Sequence, residues 1–247
     1  MNNIIKLQRD SKRKLDEIRK VELKPNIMKH AEGSCLVKFG ETEVLCSATI
    51  EKRVPYWLKG KGVGWITAEY GMLPRSTNTR VEREAIRGKQ SGRTHEIQRL
   101  IGRSLRAVCN LSQIGEKQIK IDCDVLQADG GTRTASITGA WVALSLSLNT
   151  LLKTGEIKKQ PIKSHVAAIS CGKLGKDIAL DLDYNEDSRA DVDANFVLTD
   201  FDKIIEIQCT AEKNPYSTSE LNKMLDLAKH GCSKLFLLQK EAIKDIH

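Results

Sequence analysis

The stretch "QIKIDCDVLQADGGTRTASITGAWVALSLSLNTLLK", residues 118–153, changes its period once, at its centre. Over 118–126, Ile119, Ile121, Cys123 and Val125 alternate with Asp122 and Asp124, the two-residue period of a strand with one buried face. From Thr134 to Lys153 the residues are mostly small or apolar, which predicts a long helix packed closely against a sheet. A strand that runs straight into such a helix is an α/β unit. Between them lies "DGGTRT" (129–134). Gly130 and Gly131 open backbone angles closed to other residues and let an anion approach the main chain. Thr132, Arg133 and Thr134 fall at or just before the helix start, where unpaired N–H groups and the helix dipole favour negative charge. The same six residues also fit a tight turn with an N-cap threonine and a solvated arginine. The Lys-Ser/Thr ending of a nucleotide-binding P-loop is missing.

Outward from this unit the pattern repeats. "SCLVKF" (34–39) and "TEVLCSATI" (42–50) are β-rich runs joined at Gly40-Glu41, a hairpin. Residues 51–92 are rich in Gly, Pro and charge around a short apolar island at 63–68, too long for a structureless loop and therefore expected to be partly stranded. A helix is expected from Thr94, because Ile97, Leu100, Ile101, Leu105 and Val108 recur near the 3.6-residue period; Gly92 and Arg93 would precede it. A second set follows: strands near 165–172, 178–183, 194–199 and 203–209, then helices near 219–230 and 233–244. Ser217 and Glu220 form a capping box there, and Gly231 serves as a C-cap. The fold class is α/β, with helices layered on a sheet. An N-terminal extension over 1–21, expected to fray at its start, precedes one compact domain over 22–247.

Composition excludes several classes. A 247-residue chain with 40% hydrophobic and 29% charged residues is ordinary for a globular protein. No apolar run is expected to reach the roughly 20 residues of a membrane span, and the mixed-charge N-terminus lacks a signal-peptide h-region, which predicts a cytoplasmic protein. Seven cysteines without a Cys-x-x-Cys pair read as reduced, buried thiols.

Charge is distributed unevenly. Residues 75–106 hold nine bases against three acids, whereas 177–202 hold nine acids against Arg189 alone. The formal net charge of +8 favours a polyanionic partner, and a polyanion binder has no electrostatic use for a dense acidic segment unless a cation sits there. Arg93 at a second helix start could close on the same anion as Arg133; a solvated basic helix face would look the same. Arg75, Arg80 and Arg83 lie in the loop "LPRSTNTRVER" (73–83), free to track a phosphate backbone. In "LDLDYNEDSRADVDANF" (180–196), Asp191 and Asp193 would project to one side and Asp187, on the loop before them, could share a Mg²⁺ site. Turn aspartates on an acidic surface are the other reading. No histidine sits in a Ser/His/Asp or metal-ligand grouping. An aromatic content of 4% argues against an RNA module that works by stacking.

"HAEGSCLVKFGETEVLCSATIEKRVP" (30–55), "GWITAEYGMLPRSTNTR" (64–80), "GKQSGRTHEIQRLIGRSLRAV" (88–108), "DCDVLQADGGTRTASITGA" (122–140) and "EDSRADVDANFV" (186–197) together make the chain resemble the ribonuclease PH family. This family of phosphorolytic 3′→5′ exoribonucleases is related to exosome ring subunits and polynucleotide phosphorylase. The resemblance implies a ribosomal protein S5 domain 2-like fold with two related β-α halves, a homo-hexamer built as a trimer of dimers, and precursor tRNA and other RNA 3′ ends as substrates. It assigns inorganic phosphate, as co-substrate, to Arg93, Gly131, Thr132 and Arg133. It assigns catalysis and a Mg²⁺ or Mn²⁺ ion to Asp187 and Asp193, and RNA binding to Arg75, Arg80 and Arg83. An inactive RNA-binding ring subunit and a hydrolytic metal-dependent nuclease are the alternatives. Retention of Arg93, Arg133, Asp187 and Asp193 speaks against the first, and the phosphate clamp would lack a purpose in the second.

Overall fold

The computed structural model describes residue 9 and residues 11–244. Alternating apolar residues build the first sheet: β1 (Val21–Pro25), β2 (Gly33–Phe39), β3 (Thr42–Glu51), β4 (Trp65–Met72) and, later in the chain, β5 (Gln118–Gln127). They lie in the order β1-β2-β3-β5-β4, antiparallel throughout except for the parallel β4–β5 pair. Ile119, Ile121, Cys123 and Val125 are buried on one face of β5, as their alternation predicts. Between β4 and β5 run two short helices, α1 (Glu84–Arg87) and α3 (Leu111–Ile114), on either side of the longer α2 (Gly92–Ala107). The strand predicted within 51–92 is β4.

After β5 comes α4 (Thr132–Lys153), then the second sheet. It is formed by β6 (Val166–Leu174), β7 (Asp177–Leu180), β8 (Val192–Thr199) and β9 (Ile204–Ala211), ordered β7-β6-β8-β9 and fully antiparallel. A single turn, α5 (Tyr184–Asp187), links β7 to β8, and α6 (Thr218–Ala242) closes the chain. The result is the mixed α/β architecture expected, two β-α halves with α4 packed against β2, β3 and β6. One continuous apolar core runs through both sheets and all three long helices.

The small residues of α4 are what let the sheets approach. A Cβ on Gly139 would stand 2.6 Å from Val37 Cγ1, inside any real contact. Residues 134–152 carry no charge, and the helix is long and apolar enough by composition to cross a membrane, contrary to the expectation that no such run exists. Its most apolar window is 89% buried inside the protein, so the apolarity serves the core: a helix apolar all round is buried all round.

Three boundaries differ from the sequence expectation. Ser91 accepts a hydrogen bond from the Thr94 N–H and starts α2 at Gly92, so Arg93 lies inside the first turn rather than before it. Likewise Thr132 and Arg133 already belong to the first turn of α4. The two helices expected over 219–244 are one, capped at Ser217 with the predicted box to Glu220. Gly231 does not end a helix: a Cβ there would lie 2.6 Å from Ile169 Cδ1, so the glycine marks close helix-to-sheet packing.

The described part of the extension is tied to the domain through its arginines. Arg9 is 3% exposed and grips Glu186 with two hydrogen bonds of 2.6 Å. Arg13 and Arg19 are anchored in the same way. Residues 1–8 and 10 lie outside the described residues.

Candidate active site

The centre of the site is the junction of β5 and α4. Gly130 and Gly131 both adopt left-handed backbone angles, with φ of 73° and 66°. Gly131 is the N-cap of α4, and no side chain caps the helix. The first-turn N–H groups of α4 are therefore offered to whatever fills the adjacent cavity, whereas α2 satisfies its own start through Ser91. Thr132 is buried, its hydroxyl held 2.9 Å from Tyr70 Oη. Arg133 points along the surface of β9, where its guanidinium donates to Gln208 Oε1 at 2.7 Å and to Glu96 Oε1 at 3.3 Å.

The second sheet supplies the carboxylates. Asp187 ends α5, and Asp193 sits on β8 opposite Thr210. Two residues along β8 and hence on the same face, Asn195 pairs with Gln208, which explains how Arg133 comes near Asp193. Asp187 and Asp193 lie close enough for each carboxyl to bear on the other's protonation. Burial, then the Asp187 charge, push the Asp193 carboxyl up to about 6. Burial raises Asp187 as well, against the pull of Arg93 and Arg133. Two half-buried carboxyls this close resist both being charged, and positive charge from a cation or the two arginines relieves that cost.

A cavity of about 540 Å³ joins these parts. Arg93, Gly130, Gly131, Thr132 and Asp187 line it, together with Thr77, Asn78 and Thr79 of the 73–83 loop. Of the predicted site residues, Arg93, Gly131, Thr132 and Asp187 share this cavity. Arg133 and Asp193 stand within electrostatic reach of Arg93 and Asp187 through the pair just described. Arg75, Arg80 and Arg83 are exposed on the same loop as Thr77–Thr79 but do not line the cavity. Asp191 is drawn away, accepting from Lys213 at 3.1 Å and from the Gly175 N–H at 2.9 Å.

The dense acidic segment 177–202 suggested a cation, with Asp187, Asp191 and Asp193 as its candidate ligands. Most of it has other partners. Arg19 donates its backbone N–H and guanidinium to the fully buried Asp181 at 2.7–3.1 Å, and holds that carboxyl below its ordinary range although burial opposes this. Arg9 and Arg13 pair with Glu186, and Arg13 also lies near Asp183. Arg19 reaches on to the carbonyl of Asp129, tying the glycine loop to the acidic segment. The signal was present in the basic residues of "RDSKRKLDEIRK" (9–20), but no periodicity links them to residues 170 positions away. Tyr70 and Gln208 left no sequence signal at all.

Residues 17–148 match the model of domain 1 of the 3′ exoribonuclease family, and residues 164–231 match the model of its domain 2. The chain belongs to this family. Among its relatives are proteins named ribonuclease PH from Cereibacter sphaeroides, 60% identical over 95% of this chain and 99% of theirs. Another, from Rhodospirillum rubrum, is 57% identical over 96% and 99%. The family fold also appears in a solved structure described as an Archaeoglobus fulgidus exosome with RNA bound to the active site (TM-score 0.77, 22% identity, covering 92% of this chain and 90% of that one). An archaeal exosome core is similar too (TM-score 0.73, 23% identity, covering 95% and 91%). The second-domain match begins just before β6, so the family's division falls between the two sheets described above.

Proposed function

We propose that this member of the 3′ exoribonuclease family is phosphate-dependent: it trims precursor tRNA and other RNA 3′ ends by phosphorolysis. The observation that carries the reading is the juxtaposition, in one cavity, of an uncapped helix start and Arg93 with a half-buried carboxyl of the Asp187–Asp193 pair. An anion clamp beside paired carboxyls suits phosphoryl transfer, which depends on positioning and charge stabilisation more than on a protein nucleophile. Inorganic phosphate, held by Arg93, Arg133, Thr132 and the Gly131–Thr132 backbone, attacks the terminal phosphodiester. A bond forms between a phosphate oxygen and that phosphorus, the bond to the 3′-oxygen of the preceding nucleotide breaks, and a nucleoside 5′-diphosphate leaves. The released 3′-oxygen takes up a proton.

Asp187 and Asp193 would hold Mg²⁺ or Mn²⁺. Among the described residues no group of three or more His, Cys, Asp or Glu side chains is arranged for a metal. That still fits Mg²⁺, which commonly binds one or two carboxylates and completes its shell with water and substrate phosphate. Bound there, the ion would neutralise charge on the scissile phosphate. Arg75, Arg80 and Arg83 grip the RNA body while its tail enters the cavity. We further propose a cytoplasmic hexameric ring; the exposed Phe201 and Ile204 beside the edge strand β9 are apolar surface such an assembly could cover. The alternative of an inactive ring subunit is not favoured, because both the clamp and the carboxyl pair are present.

A tRNA precursor with extra 3′ nucleotides, incubated with Mg²⁺ with and without phosphate, tests the reaction. Nucleoside diphosphates appearing only with phosphate are the expected outcome. Monophosphates released without phosphate would instead mean hydrolysis. In the same assay Asp187→Asn abolishes trimming while tRNA binding persists; loss of binding together with activity would refute the assigned role.

A further inference from the structure

The phosphate clamp and the carboxyl pair account for the reacting atoms but not for how the end of the RNA is held over them. Tyr184 is a cavity residue without a role in the mechanism. Tyr184 opens α5 and is 57% exposed, although three residues later the same short turn ends at Asp187. Both residues line the cavity, and Tyr184 is the one aromatic residue among its lining.

Its backbone is fixed from two directions. The Tyr184 N–H donates to Asp129 Oδ1 at 3.3 Å and its carbonyl accepts from the Ser188 N–H at 3.0 Å. Gly130 packs against the same segment so closely that a Cβ there would lie 2.8 Å from the Leu182 carbonyl oxygen and 2.9 Å from the Tyr184 nitrogen. The ring is thus presented from a rigid base, directly beside the loop that starts the anion-binding helix. Thr77, Asn78 and Thr79 line the same cavity with small polar side chains.

An exposed aromatic face at the edge of a cavity is costly in water and is suited to a flat partner. Its volume, about 540 Å³, lies within the roughly 300–1,000 Å³ of small-molecule sites. Stacking does not read base identity, because every base has a π-face. That property matches an enzyme which must remove successive nucleotides of any kind. Resting on the phosphorolytic reading above, we propose that Tyr184 is the platform on which the base of the 3′-terminal nucleotide stacks, in the cavity that Thr77, Asn78 and Thr79 also line. Stacking there sets the terminal phosphodiester over the clamp, one helical turn from Asp187.

The test compares two 5′-labelled single-stranded oligoadenylates, one complete and one whose 3′-terminal nucleotide lacks its base, binding to the full chain in phosphate-free buffer. The parent protein binds the complete RNA roughly tenfold more tightly. Tyr184→Ala binds both RNAs with the affinity of the abasic one, and Tyr184→Phe restores the preference because the ring, not the hydroxyl, carries it. Equal binding of the two RNAs by the parent overturns the inference without reference to any variant, and so does a preference that survives in Tyr184→Ala. Adding phosphate and Mg²⁺ to the parent samples separately tests the reaction. Diphosphate release with no base preference removes the stacking role alone, and a base preference without diphosphate release removes the phosphorolytic reading alone.

Discussion

Asp193 is held in two incompatible demands. A cation site needs it charged, yet burial and the neighbouring Asp187 favour its protonated form. Its folded value of about 6 stands above the ordinary 3.8, so the native state holds this proton more tightly than the unfolded chain. The stability this contributes is complete below pH 3.8 and is lost as pH rises towards 6. Asparagine cannot ionise. In a chelating buffer, Asp193→Asn is therefore expected to be more stable than the parent at pH 7.5, by about 1–3 kcal/mol at 1.36 kcal/mol per pKa unit. The difference should vanish near pH 4. Thermal melts at the two pH values read this directly, and a gap independent of pH would show that the carboxyl carries no such strain. The same logic gives Arg133 its place: Gln208 and Glu96 hold the guanidinium where Asp193 feels its charge. No residue in the sequence announces that contact, because Gln208 joins it only through its register with Asn195.

Elements decide which of these side chains meet. The segment 11–20 is not a regular element, yet it acts as a clasp. Arg9 and Arg13 neutralise Glu186, and Arg19 bridges the glycine loop to Asp181. Removing one partner of a buried pair leaves an uncompensated charge, so Arg9→Ala is expected to cost about 3 kcal/mol of stability in urea unfolding. This is the lower end of the usual range, because Arg13 still faces Glu186. An unchanged midpoint would show that the clasp is dispensable. The loop 73–83 is a different case. Its arginines are exposed, so their effect belongs to association rather than folding. Arg80→Ala is expected to weaken RNA binding and to reduce the slope of log K against log salt by up to about one, since each phosphate contact releases a counterion. An unaltered slope would exclude a phosphate contact by Arg80.

At the scale of the whole molecule, the two sheets share one core around α4, and the site opens where the first sheet's last strand meets the second sheet's acidic turn. The proposed ring makes its own prediction: sedimentation should give a mass of about six 27.6 kDa chains. A 27.6 kDa species at micromolar concentration would refute it. Much of this architecture was legible in the sequence. The alternation in 118–126, the hairpin at Gly40–Glu41 and the capping box at Ser217 are local signals, and each lies where the structure has it. Gly231 misled because a glycine that ends a helix and one that admits a sheet residue look identical in one dimension. The uncharged run 134–152 was underestimated for a related reason, since composition does not distinguish a helix surrounded by protein from one surrounded by lipid.

The sequence by itself determined most of the strands, two of the three long helices and the glycine turn between β5 and α4, because those depend on neighbours within a few residues, while the resemblance singled out Arg93, Arg133, Asp187 and Asp193 as the site to look for. Only the tertiary structure decided that Asp187 and Asp193 come together, that Arg9, Arg13 and Arg19 neutralise Asp181 and Glu186, and that Tyr184 lines the cavity. Electrostatic pairing and desolvation depend on distances in space. Residues 9 and 186 meet across 177 positions because β7 and the clasp are packed together, not because of anything either residue's neighbours encode.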